Sequence, residues 1–124
     1  MRYIYRLTIY EEVIQLKRIA DLLPLTHTTY YILMVLRRPL HGYGIMKEVE
    51  QISDGTVKLG PGTLYGVLKK IEKLQLIRKT DQEDTKKTYQ LTEFGQELLL
   101  AEFERLQKLV AISEKQLGGE RWQK

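Results

Sequence analysis

The chain of 124 residues contains no cysteine, which removes disulfides, thiolate metal sites and thiol nucleophiles together and favours a reducing, cytoplasmic setting over a secreted one. Histidine is nearly as scarce. His27 and His41 are the only two, neither stands in a cluster at ligand spacing, and no metal or cofactor is expected. Serine occurs only at Ser53 and Ser113; no Ser/His/acid arrangement can be drawn, so an enzyme is not expected. No apolar run approaches the roughly 20 residues needed to cross a bilayer, and the amino terminus lacks the apolar core and small-residue cleavage site of a signal peptide. A membrane partner is therefore not expected either.

What is present describes an ordinary soluble domain. Apolar residues make up 43% of the chain and charged ones 29%, enough to build a core, and the length admits one domain of the usual size, about 100–150 residues. The net charge of +4 is unevenly placed: residues 37–91 hold eleven Lys/Arg against seven Asp/Glu, residues 92–124 five against six. A basic excess on one segment suits an anionic partner such as nucleic acid, although a surplus this small is also common on inert surfaces.

Along the chain, Thr8-Ile9-Tyr10-Glu11 has the spacing of a capping box, and Ile9, Val13, Leu16, Ala20 and Leu23 recur at helical steps. Pro24 interrupts, and Thr26 caps a second helix expected to reach about residue 38, apolar almost all round between Tyr30 and Leu36. Pro39-Leu40-His41-Gly42-Tyr43 breaks the chain again, with His41 read as a turn or cap residue. Ile45, Val49 and Ile52 then mark one face of a third helix ending near Ser53-Asp54-Gly55. Pro61 opens the next helix, whose inward stripe is Leu64, Leu68, Ile71 and Leu74. Residues 76–80 and 87–91 read as a hairpin around the polar loop Asp81-Gln82-Glu83-Asp84-Thr85-Lys86. Thr92 caps a last, long helix in which Leu99, Phe103, Leu106, Val110, Ser113 and Leu117 alternate at steps of four and three, a coiled-coil spacing closed by Gly118-Gly119.

Helices followed by a two-stranded hairpin and a long helix predict a mainly α fold with a small β-hairpin: a winged helix-turn-helix domain with a carboxy-terminal dimerisation helix. The boundaries read as an amino-terminal, helical extension over 1–22, the winged domain over 23–92, the dimerisation helix over 93–117 and a tail over 118–124. The helix of residues 61–74 is the one offered to a major groove. Its outward residues are Thr63, Tyr65, Gly66, Lys69, Lys70 and Lys73. Lysines attract phosphate and release counterions, hydroxyls near a helix start bond phosphates or base edges, and a bare glycine lets the backbone come close. Lys86 and Lys87 add cations to the wing, opposed by Asp81, Glu83 and Asp84 in the same loop.

Four segments in this order, Pro39-Leu40-His41-Gly42-Tyr43-Gly44-Ile45, Gly60-Pro61-Gly62-Thr63-Leu64-Tyr65, the run from Leu68 through Lys69-Lys70-Ile71-Glu72-Lys73-Leu74-Gln75-Leu76 to Ile77, and Tyr89-Gln90-Leu91-Thr92-Glu93-Phe94-Gly95, resemble the PadR family of bacterial transcriptional regulators. The match runs from about residue 23 to residue 117. The resemblance implies a homodimeric repressor on a palindromic promoter site in double-stranded DNA, with dimer contacts from the carboxy-terminal helix and the partner's amino-terminal helix. It assigns DNA contacts to Tyr43, Thr63, Tyr65, Lys69 and Lys87. It also implies release by an effector bound between the terminal helices of the dimer, with Tyr30 and Phe103 as candidate lining. Two departures stand out: glutamine at position 75 where the family usually has glycine, and lysines at 86 and 87 where it has arginines. Residues 1–22 match nothing common to the family.

The seam residues Leu99, Phe103, Leu106, Val110 and Leu117 are the expected dimer interface; the alternative is packing on the chain's own core. The competing function is a winged-helix protein-interaction module that does not use DNA, since fold does not fix function. An acidic face on residues 63–73 would favour that alternative, and the sequence places lysines there instead.

Overall fold

The computed structural model describes residues 7–81 and 87–118. Its elements run α1 (Ile9–Leu22), α2 (His27–Val35), α3 (Gly42–Ile52), α4 (Pro61–Lys73), β1 (Ile77–Asp81), β2 (Lys87–Leu91) and α5 (Glu93–Leu117). The fold is a winged helix-turn-helix carried between two outer helices. Among the described residues no helix is long and apolar enough to cross a membrane.

Three helices start on threonines. The Thr8 hydroxyl accepts from the Glu11 amide and the Glu11 carboxylate accepts from the Thr8 amide, both at 3.0 Å, closing the capping box reciprocally. Thr26 accepts from the Thr29 amide and Thr92 from the Gly95 amide. Helix α2 ends at Val35, three residues short of expectation. The Leu36 amide already bonds the Ile32 and Leu33 carbonyls, each at 3.2 Å, and the Leu36 carbonyl accepts from the Leu91 amide at 2.9 Å. The wing strand thus takes the acceptor that a longer helix would have used.

The core lies where α2, α3 and α4 meet the hairpin and the first half of α5. Ile32, Leu33, Leu36, Ile45, Val49, Leu64 and Leu98 are fully enclosed there; such side chains contribute about 1.5–3 kcal/mol each on burial. The expected inward stripe of α4 holds, with Leu64, Leu68 and Ile71 buried and Leu74 half-buried. Ile52 departs from its expected face and is 48% exposed. The chain turns at Ser53 through Asp54 and Gly55, both at positive φ, and Ser53 Oγ takes the buried place by accepting from the Val57 amide at 3.0 Å. Helix α1 has no buried residue. Ile19 and Leu22 touch the core, while Ile9, Val13 and Leu16 of the predicted apolar stripe are exposed, Leu16 at the edge of an open groove shared with Leu100 and Ala101 of α5.

Strands β1 and β2 pair antiparallel with Ile77 opposite Leu91 and Asp81 opposite Lys87. The first strand begins at Ile77, one residue later than expected. The connecting residues 82–86, like 1–6 and 119–124, lie outside the described residues. Leu40 adds a third edge to the wing by exchanging two backbone bonds with Tyr89, at 3.1 and 2.9 Å.

The exit from α4 keeps a glycine-type turn without glycine. The Gln75 amide donates to the Glu72 carbonyl and the Leu76 amide to the Ile71 carbonyl, both at 2.9 Å, the bond pair of a Schellman ending. Gln75 adopts φ 66° to make it. Left-handed backbone costs a residue with a Cβ about 1–2 kcal/mol. Gly95 is required for the opposite reason: an added Cβ would overlap the Leu76 carbonyl oxygen, a backbone atom with no freedom to retreat.

Glu102, 2% exposed, ties α5 to the elbow between α1 and α2. Its carboxylate accepts from the Leu25 amide at 3.0 Å and from the Arg105 guanidinium at 2.6 and 3.0 Å. The Arg105 hydrogen bond, seconded by the Leu25 amide and opposed by burial, holds this carboxyl below its ordinary value of 4.5. A lowered carboxyl contributes stability that is present above the ordinary value and lost as pH falls through the lowered one.

Two outcomes are expected. Gln75→Gly retains both turn bonds while removing the left-handed cost, and should raise stability by about 0.5–1 kcal/mol after glycine's own entropic penalty; an unchanged or lower urea midpoint contradicts that account. Glu102→Gln should be less stable than wild type near neutrality, the gap closing as pH drops below 4.5. A gap that stays constant down to the acid transition would show that the carboxylate's charge is not what matters.

Candidate nucleic-acid interface

Helix α4 is divided lengthwise by its own periodicity. While Leu64, Leu68 and Ile71 point into the core, Thr63, Tyr65, Gly66, Lys69, Lys70 and Lys73 are all exposed. A Cβ added at Gly62 or Gly66 would meet nothing within 4 Å, so the first turns of the outward face carry open glycine positions beside the hydroxyls of Thr63 and Tyr65, and the later turns are cationic.

Tyr43, Tyr65 and Lys87 come together, although 44 positions separate the first from the last. They line one recess of about 500 Å³ with His41, Gly42, Gly44 and Tyr89. Helix α3 brings Tyr43, 68% exposed, helix α4 brings Tyr65, and the first residue of β2 brings Lys87. The Leu40–Tyr89 bridge fixes the start of α3 to the wing, which is why the three converge. Lys47 lies over the Tyr43 ring at 5.7 Å, within cation–π range. Lys79 on β1 stands 4.0 Å from Glu72 and is partly neutralised by it. Lys86 lies outside the described residues.

Both helices that frame this face start without a side-chain cap: His41 stands at the N-cap of α3 and Gly60 at that of α4, and neither supplies a side-chain hydrogen bond. First-turn amides left without caps are satisfied by water or by a ligand. The Tyr89 phenol is raised above its ordinary value, chiefly by burial and then by Tyr65 and Glu72, so it is a neutral hydrogen-bonding group throughout the physiological range.

Sequence reading missed Gly42, Tyr89 and Lys47 as members of this surface. Tyr89 and Gly42 lie inside motifs already noticed, but their facing depends on the Leu40–Tyr89 pairing, which crosses 49 positions and has no local signal.

The expected dimer and effector residues occupy the other end of the molecule. Leu99 is 5% exposed and packs into its own core, so it leaves the seam; intramolecular burial has claimed it. Phe103, Val110 and Leu117 are exposed and Leu106 is half-buried. Tyr30 and Phe103 line a common groove of about 490 Å³ with Leu106, Gln107, Val110, Ala111 and Glu114. Burial, then the Glu102 charge, raises the Tyr30 phenol.

Comparison with known proteins places these observations in a family. The model described as the transcriptional regulator PadR-like family matches residues 32–101. A protein of Streptomyces fradiae, described as an uncharacterized 37.1 kDa protein in transposon TN4556, is 41% identical over 71 residues, or 57% of this chain. The chain spans only 20% of the length of that curated relative. Among solved structures, a PadR-like transcriptional regulator from Bacillus cereus superposes with a TM-score of 0.65 over 84% of this chain and 99% of its own, at 19% identity. Bacillus subtilis PadR, solved in complex with operator DNA, is 30% identical and superposes with a TM-score of 0.53 over 61% of this chain and 46% of its own.

Proposed function

The chain belongs to the transcriptional regulator PadR-like family, and we propose that it acts as a homodimeric repressor on a palindromic promoter site, inserting two copies of α4 into successive major grooves about 34 Å apart. The observation that carries this reading is the lengthwise division of α4, with the outward residues Thr63, Tyr65, Gly66, Lys69, Lys70 and Lys73 bare, hydroxylic or cationic and the stripe behind them buried. In it, Thr63 and Tyr65 contact bases or phosphates near the helix start, and Gly66 admits close approach. Lys69, Lys70 and Lys73 neutralise phosphates. Tyr43 and Lys87 hold the flanking backbone from the shared recess, and the charge of Lys86 adds to the attraction for phosphate. The uncapped amides of α3 and α4 suit phosphate oxygens. The operator complex of the Bacillus subtilis relative supports the same use of the fold.

The dimer in this proposal covers the apolar side chains left outward on α1 and on the distal half of α5, among them Ile9, Val13, Phe103, Val110 and Leu117. An effector entering beside Tyr30 and Phe103 lies where a partner's helix would pack, so its binding changes the separation of the two α4 helices and releases the operator.

Selection from random duplex DNA tests the proposal directly, and one enriched palindrome is the expected result. No enrichment would favour the interaction module instead. On the selected site, Lys69→Ala and Lys70→Ala should each weaken binding and flatten the plot of log affinity against log salt by about one unit for every phosphate no longer neutralised; an unchanged slope removes that residue from the interface. Sedimentation at micromolar concentration should give a dimer, which Phe103→Glu combined with Val110→Glu converts to monomer. A monomeric wild type would end the dimer proposal.

A further inference from the structure

Gly42 stands in the first turn of α3, where alanine would be the better helix former by up to about 1 kcal/mol. It is buried, yet no backbone conformation demands glycine there. What demands it is a neighbour. A Cβ built on Gly42 would overlap Tyr65 Oη and lie 2.8 Å from Cζ and 3.4 Å from Cε1, so its three nearest atoms all belong to one side chain. The tyrosine leaves α4, crosses to α3 and puts its hydroxyl where any other residue at position 42 would put its first carbon. Gly44, two residues on, differs: its nearest neighbour is Leu40 Cδ2 at 3.6 Å, an ordinary contact.

We propose that Gly42 is the seat of Tyr65, a positioning residue that fixes the phenol at the recess shared with Tyr43 and Lys87 and so sets its contact with the DNA backbone. The role rests on the DNA-binding reading above. The seat is rigid on one side, because Leu40 two residues before it is bonded twice to Tyr89. It is yielding on the other, because the clashing atoms are the far end of a side chain that is half-exposed and has solvent to turn into. A methyl group at position 42 therefore displaces Tyr65 without unfolding the protein, and the phenol moves off the recess.

The test is a double-mutant cycle on the selected operator. Tyr65→Ala should weaken binding roughly tenfold, the value of one hydrogen bond to a charged oxygen. Gly42→Ala should match that effect, and the two substitutions together should weaken binding no more than either alone, because the second has nothing left to displace. Urea midpoints of Gly42→Ala within the Tyr65→Ala background should be equal to or above those of Tyr65→Ala alone. In the free wild type, nuclear Overhauser effects should join the Gly42 α-protons to the Tyr65 ring. In Gly42→Ala the Tyr65 ring should no longer reach residue 42, while the helical backbone resonances of α4 stay in place. Undiminished affinity in Gly42→Ala, or single effects that multiply to about a hundredfold, would overturn the seat while leaving the DNA reading intact. Failure of the wild type to select any sequence, with the Gly42–Tyr65 proximity observed, would instead overturn the DNA reading on which the role depends.

Discussion

The close approach between the exit of α4 and the start of α5 holds the molecule in register. The Leu76 carbonyl accepts from the Thr92 amide at 3.0 Å, the Thr92 hydroxyl donates to the Gln75 carbonyl at 2.7 Å, and Gly95 leaves room for the approach. Helix α1 joins at the same place, where the Arg18 guanidinium lies 4.2 Å above the Phe94 ring and donates to the Leu74 carbonyl at 3.4 Å. The outward-facing helix, the wing and the outer helices therefore meet within a few residues. This junction joins the end of α4 directly to the start of α5, while Glu102 ties the next turns of α5 to the elbow between α1 and α2.

The same economy explains the backbone strain at Gln75. Its left-handed conformation is uncomfortable for a residue with a side chain, but the turn satisfies two carbonyls of α4 and presents the Gln75 and Leu76 oxygens to Thr92. A straighter exit would leave those groups unpaired near the core, and an unpaired buried polar group costs about 1–3 kcal/mol. Hydrogen-bond satisfaction outweighs the backbone penalty, so a glycine-type geometry persists where no glycine stands.

Division of labour among the helices follows from how their ends are satisfied. Helices α1, α2 and α5 close their amino termini with threonine hydroxyls. Helices α3 and α4 leave theirs without side-chain caps and face a recess bearing Tyr43, Tyr65 and Lys87. On α1 and the distal half of α5, Ile9, Val13, Phe103, Val110 and Leu117 stay exposed, the apolar surface that the proposed dimer would cover.

Much of this was legible in the residues themselves because it is local. Thr8, Thr26 and Thr92 announce three helix starts through bonds to amides three positions on, and the stripe Leu64, Leu68, Ile71 declares the buried side of α4 and hence the outward one. Motif order carried the family. What the chain's periodicity alone could not decide was which apolar residue finds a partner at home. Leu99 and Val110 occupy the same seam, yet one is enclosed by the core and the other faces out, because α5 runs past the end of the domain. Ile52 was left outward by the turn at Ser53, and Ile9 by lying on the outer helix α1. The recess of Tyr43, Tyr65 and Lys87, and the place of Gly42 beneath Tyr65, exist only once Leu40 pairs with Tyr89. Sequence determined the order of the elements and the buried stripe of α4, since those depend on hydrogen bonds and side chains a few residues apart. Tertiary structure alone decided which faces meet, since that depends on contacts between residues the chain keeps far apart.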